Sequence, residues 1–431
     1  MSSIQLARVS RIHFIGIGGI GMSALARFFL FEKKVVSGSD RATSAITNAL
    51  VKEGVQIYVS QVASNVTSDI ELIVYTEAMS PEHEEMVAAR ALGVPMMNYF
   101  DALGLVANPY YLIAVAGTHG KTTTTAMLTD VFEVAEKDPT AIIGSLRAST
   151  HSNFRAGKSK YAIIEACEYK RDFLSLTPDV LVMTNIEYEH TDYYRDLADV
   201  QAAFKTLVGQ VREGGYVVTN AKDPIIAAVV QDASVPVLDY TEYLDVQTSM
   251  KQPGMHVRMN AAAALTVAVR EKLDRSRASA TLSAYAGTWR RFEYKGTCNG
   301  APVYDDYGHH PTEIKATIAG ARELYPDKQL AVIFEPHTFS RTATLFADFA
   351  RAFSGANRVF LLPIYAAREE NTWGVSSREL AVKTLAYVPE TSYVASLEDA
   401  ERTLREVVTG DDVVLVMGAG TVTKLASFLT I

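Results

Sequence analysis

Cysteine is scarce in this chain: Cys167 and Cys298 are the only two among 431 residues. No disulfide framework or structural zinc site is indicated, and a reducing compartment fits. Long apolar runs are missing too, and no stretch approaches the roughly 18 apolar residues of a membrane span. The opening Met1-Ser-Ser-Ile-Gln-Leu-Ala-Arg-Val-Ser10 lacks the apolar segment of a signal peptide. These absences predict a soluble, cytoplasmic protein. There is no excess of basic charge either. With 41 Lys and Arg against 49 Asp and Glu, the net charge is −8, which argues against non-specific nucleic-acid binding. Short-period repeats and low-complexity segments are absent. What is present is ordinary globular composition, 48% hydrophobic and 21% charged, over a length that suggests about three domains at ~150 residues each.

The most informative stretch is Gly117-Thr118-His119-Gly120-Lys121-Thr122-Thr123. It follows an apolar run, 111–116, that reads as a buried strand, and precedes 126–132, whose apolar spacing predicts a helix. Glycines let the backbone curl so that N–H groups point inward, and the helix N-terminus adds partial positive charge. Lys121 is placed to neutralise phosphate oxygens, and the Thr122 hydroxyl to reach a Mg²⁺. The strict G-x-x-x-x-G-K-[ST] pattern fails, because Val115 stands at its first position. The loop is a shorter relative that predicts phosphate binding.

A second glycine loop lies upstream. Arg11–Ile15 reads as a strand, Gly16-Ile17-Gly18-Gly19-Ile20-Gly21 follows, and 22–30 reads as a helix. This is G-x-G-x-x-G in the context it needs. Asp40 ends the next strand, 19 residues after Gly21, where a ribose-binding acid sits in dinucleotide folds. The plain reading is NAD or FAD, although the fingerprint itself licenses only a nucleotide's phosphates on a helix end. Strand and helix continue to alternate, which predicts a parallel sheet.

Downstream of the phosphate loop, the strand 161–166 carries Glu165 at its end, with Glu168 close by. Carboxylates there suit Mg²⁺, which takes oxygen ligands. The strand 180–185 runs into Ile186-Glu187-Tyr188-Glu189-His190, so His190 leaves the same sheet edge as the loop. Ligands gather at that edge in open α/β sheets. Asn260 opens a helix of small residues, as a base-edge contact or an ordinary polar position. Arg290 and Arg291 lie at a junction, where they form a solvated face or reach a phosphate. Further on, Tyr307-Gly308-His309-His310-Pro311-Thr312 leads from a strand into a helix, and Glu335-Pro336-His337-Thr338-Phe339-Ser340-Arg341 follows another strand. The paired histidines have no further Cys or His at a zinc-binding spacing. Arg341 has the forked geometry to grip a carboxylate or phosphate. The stretch 369–374 is expected to be a mobile loop. The fold class expected is three consecutive α/β domains: Rossmann-like over 1–107, a central phosphate-loop unit over 108–293, and a Rossmann-like unit over 294–431. Two nucleotide-type sites in one chain suggest that one nucleotide-bearing substrate is activated with another.

Taken in order, Gly117-Thr118-His119-Gly120-Lys121-Thr122, Thr184-Asn185-Ile186-Glu187 with His190, Arg290-Arg291-Phe292 and Asp305-Asp306-Tyr307-Gly308-His309-His310-Pro311-Thr312-Glu313 resemble the Mur ligases. The resemblance spans essentially the whole chain. Within the family it is closest to the branch that joins L-alanine to UDP-N-acetylmuramate in peptidoglycan precursor synthesis. It implies ATP-dependent amide formation: ATP phosphorylates the lactyl carboxylate, and the alanine amine attacks the acyl phosphate. It also implies roles by position. ATP would meet Gly117, Thr118, Gly120, Lys121, Thr122, Thr123, Asn260 and Arg291. Thr122, Glu165 and His190 would hold Mg²⁺. The UDP-sugar would meet Gly18, Gly19, Ile20, Asp40 and His119. Tyr307, His309 and Arg341 would form the alanine pocket, and Lys121, His190, His309 and Arg341 the catalytic group. A monomer or weak homodimer is expected, with no nucleic-acid or membrane partner. Domain closure on ATP is expected as well.

The chain departs from the family pattern at three places. Cys167 replaces an acid beside the metal position, where it would be open to oxidation. Thr338 stands where some members carry an arginine, and Val257 follows His256 where His-Asn is common. Other readings are a ligase adding glycine, serine or a peptide, an NAD-dependent dehydrogenase, and a non-catalytic nucleotide module. A dehydrogenase would leave Lys121 and Thr122 without a role.

Overall fold

A computed structural model describes residues 5–246 and 250–430; Met1–Ile4 of the opening stretch lie outside it. The chain folds into three sheets in succession. The first holds β1 (Arg11–Ile15), β2 (Val35–Ser39), β3 (Gln56–Tyr58), β4 (Leu72–Tyr75) and β5 (Met96–Asn98). Its order is β3-β2-β1-β4-β5, and all its pairings are parallel. The second holds β6 (Tyr111–Ala116), β7 (Thr140–Ile142), β8 (Phe154–Arg155), β9 (Tyr161–Glu165), β10 (Val180–Met183), β11 (Tyr216–Thr219) and β12 (Val237–Asp239). It runs β12-β11-β10-β6-β9-β7-β8, with β8 alone antiparallel. The third holds β13 (Glu293–Cys298), β14 (Ala301–Asp306), β15 (Gln329–Phe334), β16 (Arg358–Leu361), β17 (Glu390–Tyr393) and β18 (Asp412–Met417). Its order is β13-β14-β18-β15-β16-β17, with β13 antiparallel to β14. This is the mixed α/β class expected from the alternating sequence pattern.

The central strands are continuous apolar runs because helices cover both sheet faces. Leu112 to Ala116 of β6 and all of β10 are buried. One face of the second sheet packs under the helices Lys121–Val134 and Met255–Arg270, whose small residues Ala261–Ala264 are fully buried in the shared core. Some expected elements are trimmed. The strand 180–185 expected from the sequence ends at Met183, and the next helix, Leu197–Gly209, is started by the Asp196 carboxylate accepting the Asp199 N–H. The helix expected from Tyr307 onward begins only at Pro311, because the His310 ring and Glu313 form a capping box there.

Two sheets have a switch point that matters for function. In the first, β1 has neighbours on both sides and the chain leaves it through Gly16–Gly21. In the second, β6 does the same and the chain leaves it through Gly117–Gly120. The crevice outside such strand ends is where open α/β sheets bind ligands.

The first two domains are joined through a common apolar core and a few tight polar contacts. Asn153, fully buried, donates to the Ile20 carbonyl and the Ser23 hydroxyl and accepts from Arg27. Gly104, in the helix Tyr99–Ala107, lies flat against the Ser175 carbonyl, which a Cβ would meet at 2.5 Å. A Gly104→Val variant must push these domains apart. It is expected to lose about 1–3 kcal/mol of stability, read as a lower midpoint in thermal unfolding. An unchanged midpoint would contradict this packing.

Candidate active site

The phosphate loop is shaped by its neighbours as much as by its own glycines. Gly117 has φ +135°, and a side chain there would collide with the Thr184 hydroxyl. Gly120 has φ +83° and sits on Asn260, whose side-chain oxygen would be 2.5 Å from an added Cβ. Asn185 holds the outer part of the loop: its carbonyl accepts the Thr118 N–H at 3.0 Å and its side-chain oxygen the His119 N–H at 2.9 Å. No side chain caps the helix that starts at Lys121. The N–H groups of its first turn therefore remain for an anion.

Behind the loop lies a buried chain of charges. Lys121 Nζ is 2.8 Å from Glu168 and also donates to the Gly117 and Thr118 carbonyls. His190 Nε2 is 3.3 Å from the other oxygen of Glu168. Burial works against the charge on Glu168, but Lys121 and His190 together draw its carboxyl down to about 2. Burial also works against Lys121, and Glu168 more than restores its charge. His190 is held with φ +54° and packs on the Tyr169 ring at 4.7 Å. Beside it, the Thr122 hydroxyl donates to Glu165 Oε1 at 2.9 Å, and Gly144 N–H donates to Oε2 at 2.7 Å. Thr122 and Glu165 offer oxygen atoms of the kind a hard divalent cation takes, while both Glu168 oxygens face Lys121 and His190. In Cys167, burial and the Glu168 charge push the thiol up to about 12. It stays a neutral thiol at neutral pH, so the expected sensitivity to oxidation has no support here.

The third domain meets the loop through His119. Its Nδ1 is 3.2 Å from Glu313, its Nε2 3.7 Å from Glu187, and its ring lies 4.9 Å from that of His310. Thr312 donates to Glu187 at 2.7 Å across the same joint. His119, Glu187 and His310 offer ligand atoms within 4.8 Å of one another. His310 therefore finds partners from another domain, which no spacing in the sequence could reveal. Arg291 lies 3.5 Å from Glu313 and 5.1 Å from the Tyr307 ring. His309 Nδ1 sits 3.1 Å from the Tyr307 carbonyl. Burial, opposed by Glu313 and helped by Arg341, pushes His309 down to about 3, so it is neutral. Arg341 Nε donates to Glu189 at 2.8 Å, and Nη1 to the His337 carbonyl.

The first glycine loop forms a separate patch. Gly18 N–H donates to Asp40 at 2.8 Å, Gly19 caps the helix Ile20–Phe31, and Ile20 opens it. Asp40 thus braces the turn. Tyr99 ties this patch to the phosphate loop: it touches the position of a Gly21 Cβ, and burial, then Glu165 and Cys167, raise its hydroxyl. Lys121, Thr122, Glu165 and His190 come together directly, and His119, Arg291, Tyr307, His309 and Arg341 line the joint next to them. Lys205, on the helix after His190, pairs with Asp232 at the surface. Tyr99, Glu187, Glu189, His310, Glu313 and His337 were missed as site residues by sequence reasoning.

Three α/β domains converging on one phosphate loop, with acids at the strand ends and an arginine pocket across the joint, define a multidomain ligase that activates its substrate with a nucleotide. Residues 11–111 match "Mur ligase family, catalytic domain", 115–244 "Mur ligase middle domain" and 290–420 "Mur ligase, glutamate ligase domain". The chain belongs to the Mur ligase family. It is 38% identical to a UDP-N-acetylmuramate--L-alanine ligase of Agathobacter rectalis, covering 100% of this chain and 99% of the relative. It is 37% identical to the protein of the same name from Lachnospira eligens, with both chains fully covered. Among solved structures it resembles the UDP-N-acetylmuramate-alanine ligase MurC of Thermotoga maritima, with a TM-score of 0.80 and 26% identity over 97% of this chain and 98% of that one.

The His119 joint makes a prediction about pH. Burial disfavours the imidazolium, yet Glu313 and Glu187 raise it from 6.5 to about 9. A group raised on folding contributes stability that is complete below its unfolded value and is lost as pH rises through the folded one. Thermal stability should therefore decline from pH 6.5 to 9 more steeply in the native chain than in a His119→Asn variant. Parallel declines would show that His119 carries no charge at the joint.

Proposed function

We propose that this chain joins L-alanine to the lactyl carboxylate of UDP-N-acetylmuramate, using ATP and forming an acyl phosphate on the way. The reading is supported by full-length relatives of that name at 37–38% identity. The observation that carries it is the placing of the loop and its Lys121–Glu168–His190 chain beside the arginine and histidines of the third domain. It acts on soluble substrates in the cytoplasm, as a monomer or weak homodimer; no described helix is long and apolar enough to cross a membrane.

The chemistry follows from these groups. A carboxylate is a poor electrophile, and phosphorylation turns one of its oxygens into a leaving group. Phosphoryl transfer needs positioning and charge neutralisation. The open first turn of the helix at Lys121 receives the phosphates, and Lys121 exchanges its carbonyl partners for their oxygens. Thr122, Glu165 and His190 would hold Mg²⁺, which would supply charge neutralisation at the phosphates. Asn260 and Arg291 meet the adenine and phosphate ends of ATP. Gly18, Gly19, Ile20 and Asp40 hold the UDP end of the other substrate, and His119 its muramoyl end. The alanine carboxylate goes to Arg341. The amine must lose a proton before it attacks. Neutral His309, with Nδ1 facing the Tyr307 carbonyl, is held so far below its ordinary value that it is a weak base for this step.

Phosphate release should require ATP, Mg²⁺, UDP-N-acetylmuramate and L-alanine together. Release that depends instead on glycine, serine or a tripeptide would move the reading to another acceptor. Release with no acceptor would end it. A Lys121→Ala variant should lose at least about 100-fold in turnover while keeping its circular dichroism spectrum. Near-native turnover would remove the loop from the mechanism.

A further inference from the structure

The pair Arg341–Glu189 is a buried ion pair between the third and second domains, and each partner is only half used. Glu189 Oε1 accepts from Arg341 Nε at 2.8 Å and from the His190 N–H at 3.0 Å. Oε2 of Glu189 is buried and has no hydrogen-bond partner. On the arginine, Nε and Nη1 are engaged, and no hydrogen bond from Nη2 is found among the described residues. The two side chains are only 9% and 5% exposed. A buried pair recovers its desolvation cost only when its remaining lone pairs and protons are satisfied. Leaving a buried carboxylate oxygen unpaired is costly and calls for a reason.

The surroundings say what would complete the pair. His309 is neutral, as argued above. His337, stacked on Tyr365 at 5.5 Å, is driven by burial and by Arg341 down to about 4 and is neutral too. The neighbouring Glu313 is matched by His119 and Arg291. The cluster of Tyr307, His309, His337 and Arg341, with Glu189 against the arginine, thus holds one positive and one negative charge side by side. A ligand carrying a carboxylate and an ammonium on one carbon is its mirror image.

We infer that Glu189 is a substrate-binding residue that receives the ammonium of the incoming amino acid through Oε2, while Arg341 receives the carboxylate of the same molecule. The inference rests on the proposed acceptor being an amino acid. The Glu189–Arg341 pair then selects zwitterions over simple amines or acids, and it orients the nitrogen before the amine is deprotonated. Glu189 holds the ammonium through Oε2 while its Oε1 stays on Arg341 and the His190 N–H. Proton removal falls to another group, and the ammonium is handed over at that point.

The test uses the full chain with ATP, Mg²⁺ and UDP-N-acetylmuramate. In Glu189→Gln, which keeps the size of the side chain and an acceptor for Arg341, KM for L-alanine should rise at least about 10-fold. KM for ATP and for the sugar nucleotide should stay within about twofold of native. An unchanged KM for alanine in a folded variant overturns the inference. A second measurement needs no variant. L-lactate, which lacks the ammonium, and ethylamine, which lacks the carboxylate, should each compete with alanine at least about 10-fold more weakly than glycine does. Lactate competing as well as glycine overturns the inference even where Glu189→Gln fails to fold. If native enzyme releases no phosphate with alanine, the function proposed above has failed separately. The same comparison is then made between whichever amino acid or peptide does support release and its deaminated analogue, and equal competition by the analogue again overturns the ammonium site.

Discussion

A buried carboxylate, Glu168, holds the centre of this molecule together. It sits in the crevice at the carboxyl end of the second sheet with Lys121 on one side and His190 on the other. A buried carboxylate and lysine are tolerable in a low-dielectric crevice because each is the other's counter-ion, and His190 lies 3.3 Å from the same acid. Remove the acid and Lys121 loses the partner that keeps it charged where phosphates arrive. His190, already in a left-handed backbone conformation, would lose the contact that accounts for its placement. The Tyr194 hydroxyl, donated to the Glu168 carbonyl, binds the same point to the buried core. The loop, the cation ligands and the segment leading to Glu189 thus share one electrostatic anchor.

The same logic governs how the third domain docks. Its contacts with the second are mostly charged or polar: His119 with Glu313, Thr312 with Glu187, Arg341 with Glu189, Arg258 with Glu323. The joint between the first and second domains is instead a continuous apolar core. An apolar joint is indifferent to substrate charge, whereas a polar one can exchange its partners for a substrate's. On our proposal, the domain that receives a small zwitterion is attached by charged groups able to pair with both of its ends.

Much of the fold was legible because central parallel strands must be apolar along their whole length. β1 and β6 were read to their observed ends, and the β10 reading ran two residues too far, to Asn185. The short strands β3, β7, β8, β12, β13 and β17 went unread, and most of them lie at sheet edges. An edge strand needs no apolar run and is often short or polar, as Glu390-Thr391-Ser392-Tyr393 is. The glycine loops were legible for a different reason: Gly117 and Gly120 occupy backbone conformations that other residues avoid. Among the site residues, Lys121, Thr122 and Glu165 announced themselves by standing next to those loops or at a strand end. Glu189 and His310 did not, because what makes them functional is a partner far along the chain, Arg341 or His119. An unremarkable acid two residues beyond Glu187 carries no local sign that its second oxygen is buried and unpaired.

The arrangement also constrains the order of events. Lys121 is turned back on the carbonyls of Gly117 and Thr118, which it must leave to reach a phosphate. Asn185 pins the loop's outer N–H groups, so the loop itself has little freedom to follow. What moves is then the side chain, pivoting about Glu168, while the loop stays in shape. On the other side, Arg341 is already oriented by Glu189, so the pocket we propose for the amino acid is formed before its ligand arrives. A preformed pocket loses little ordering entropy on binding.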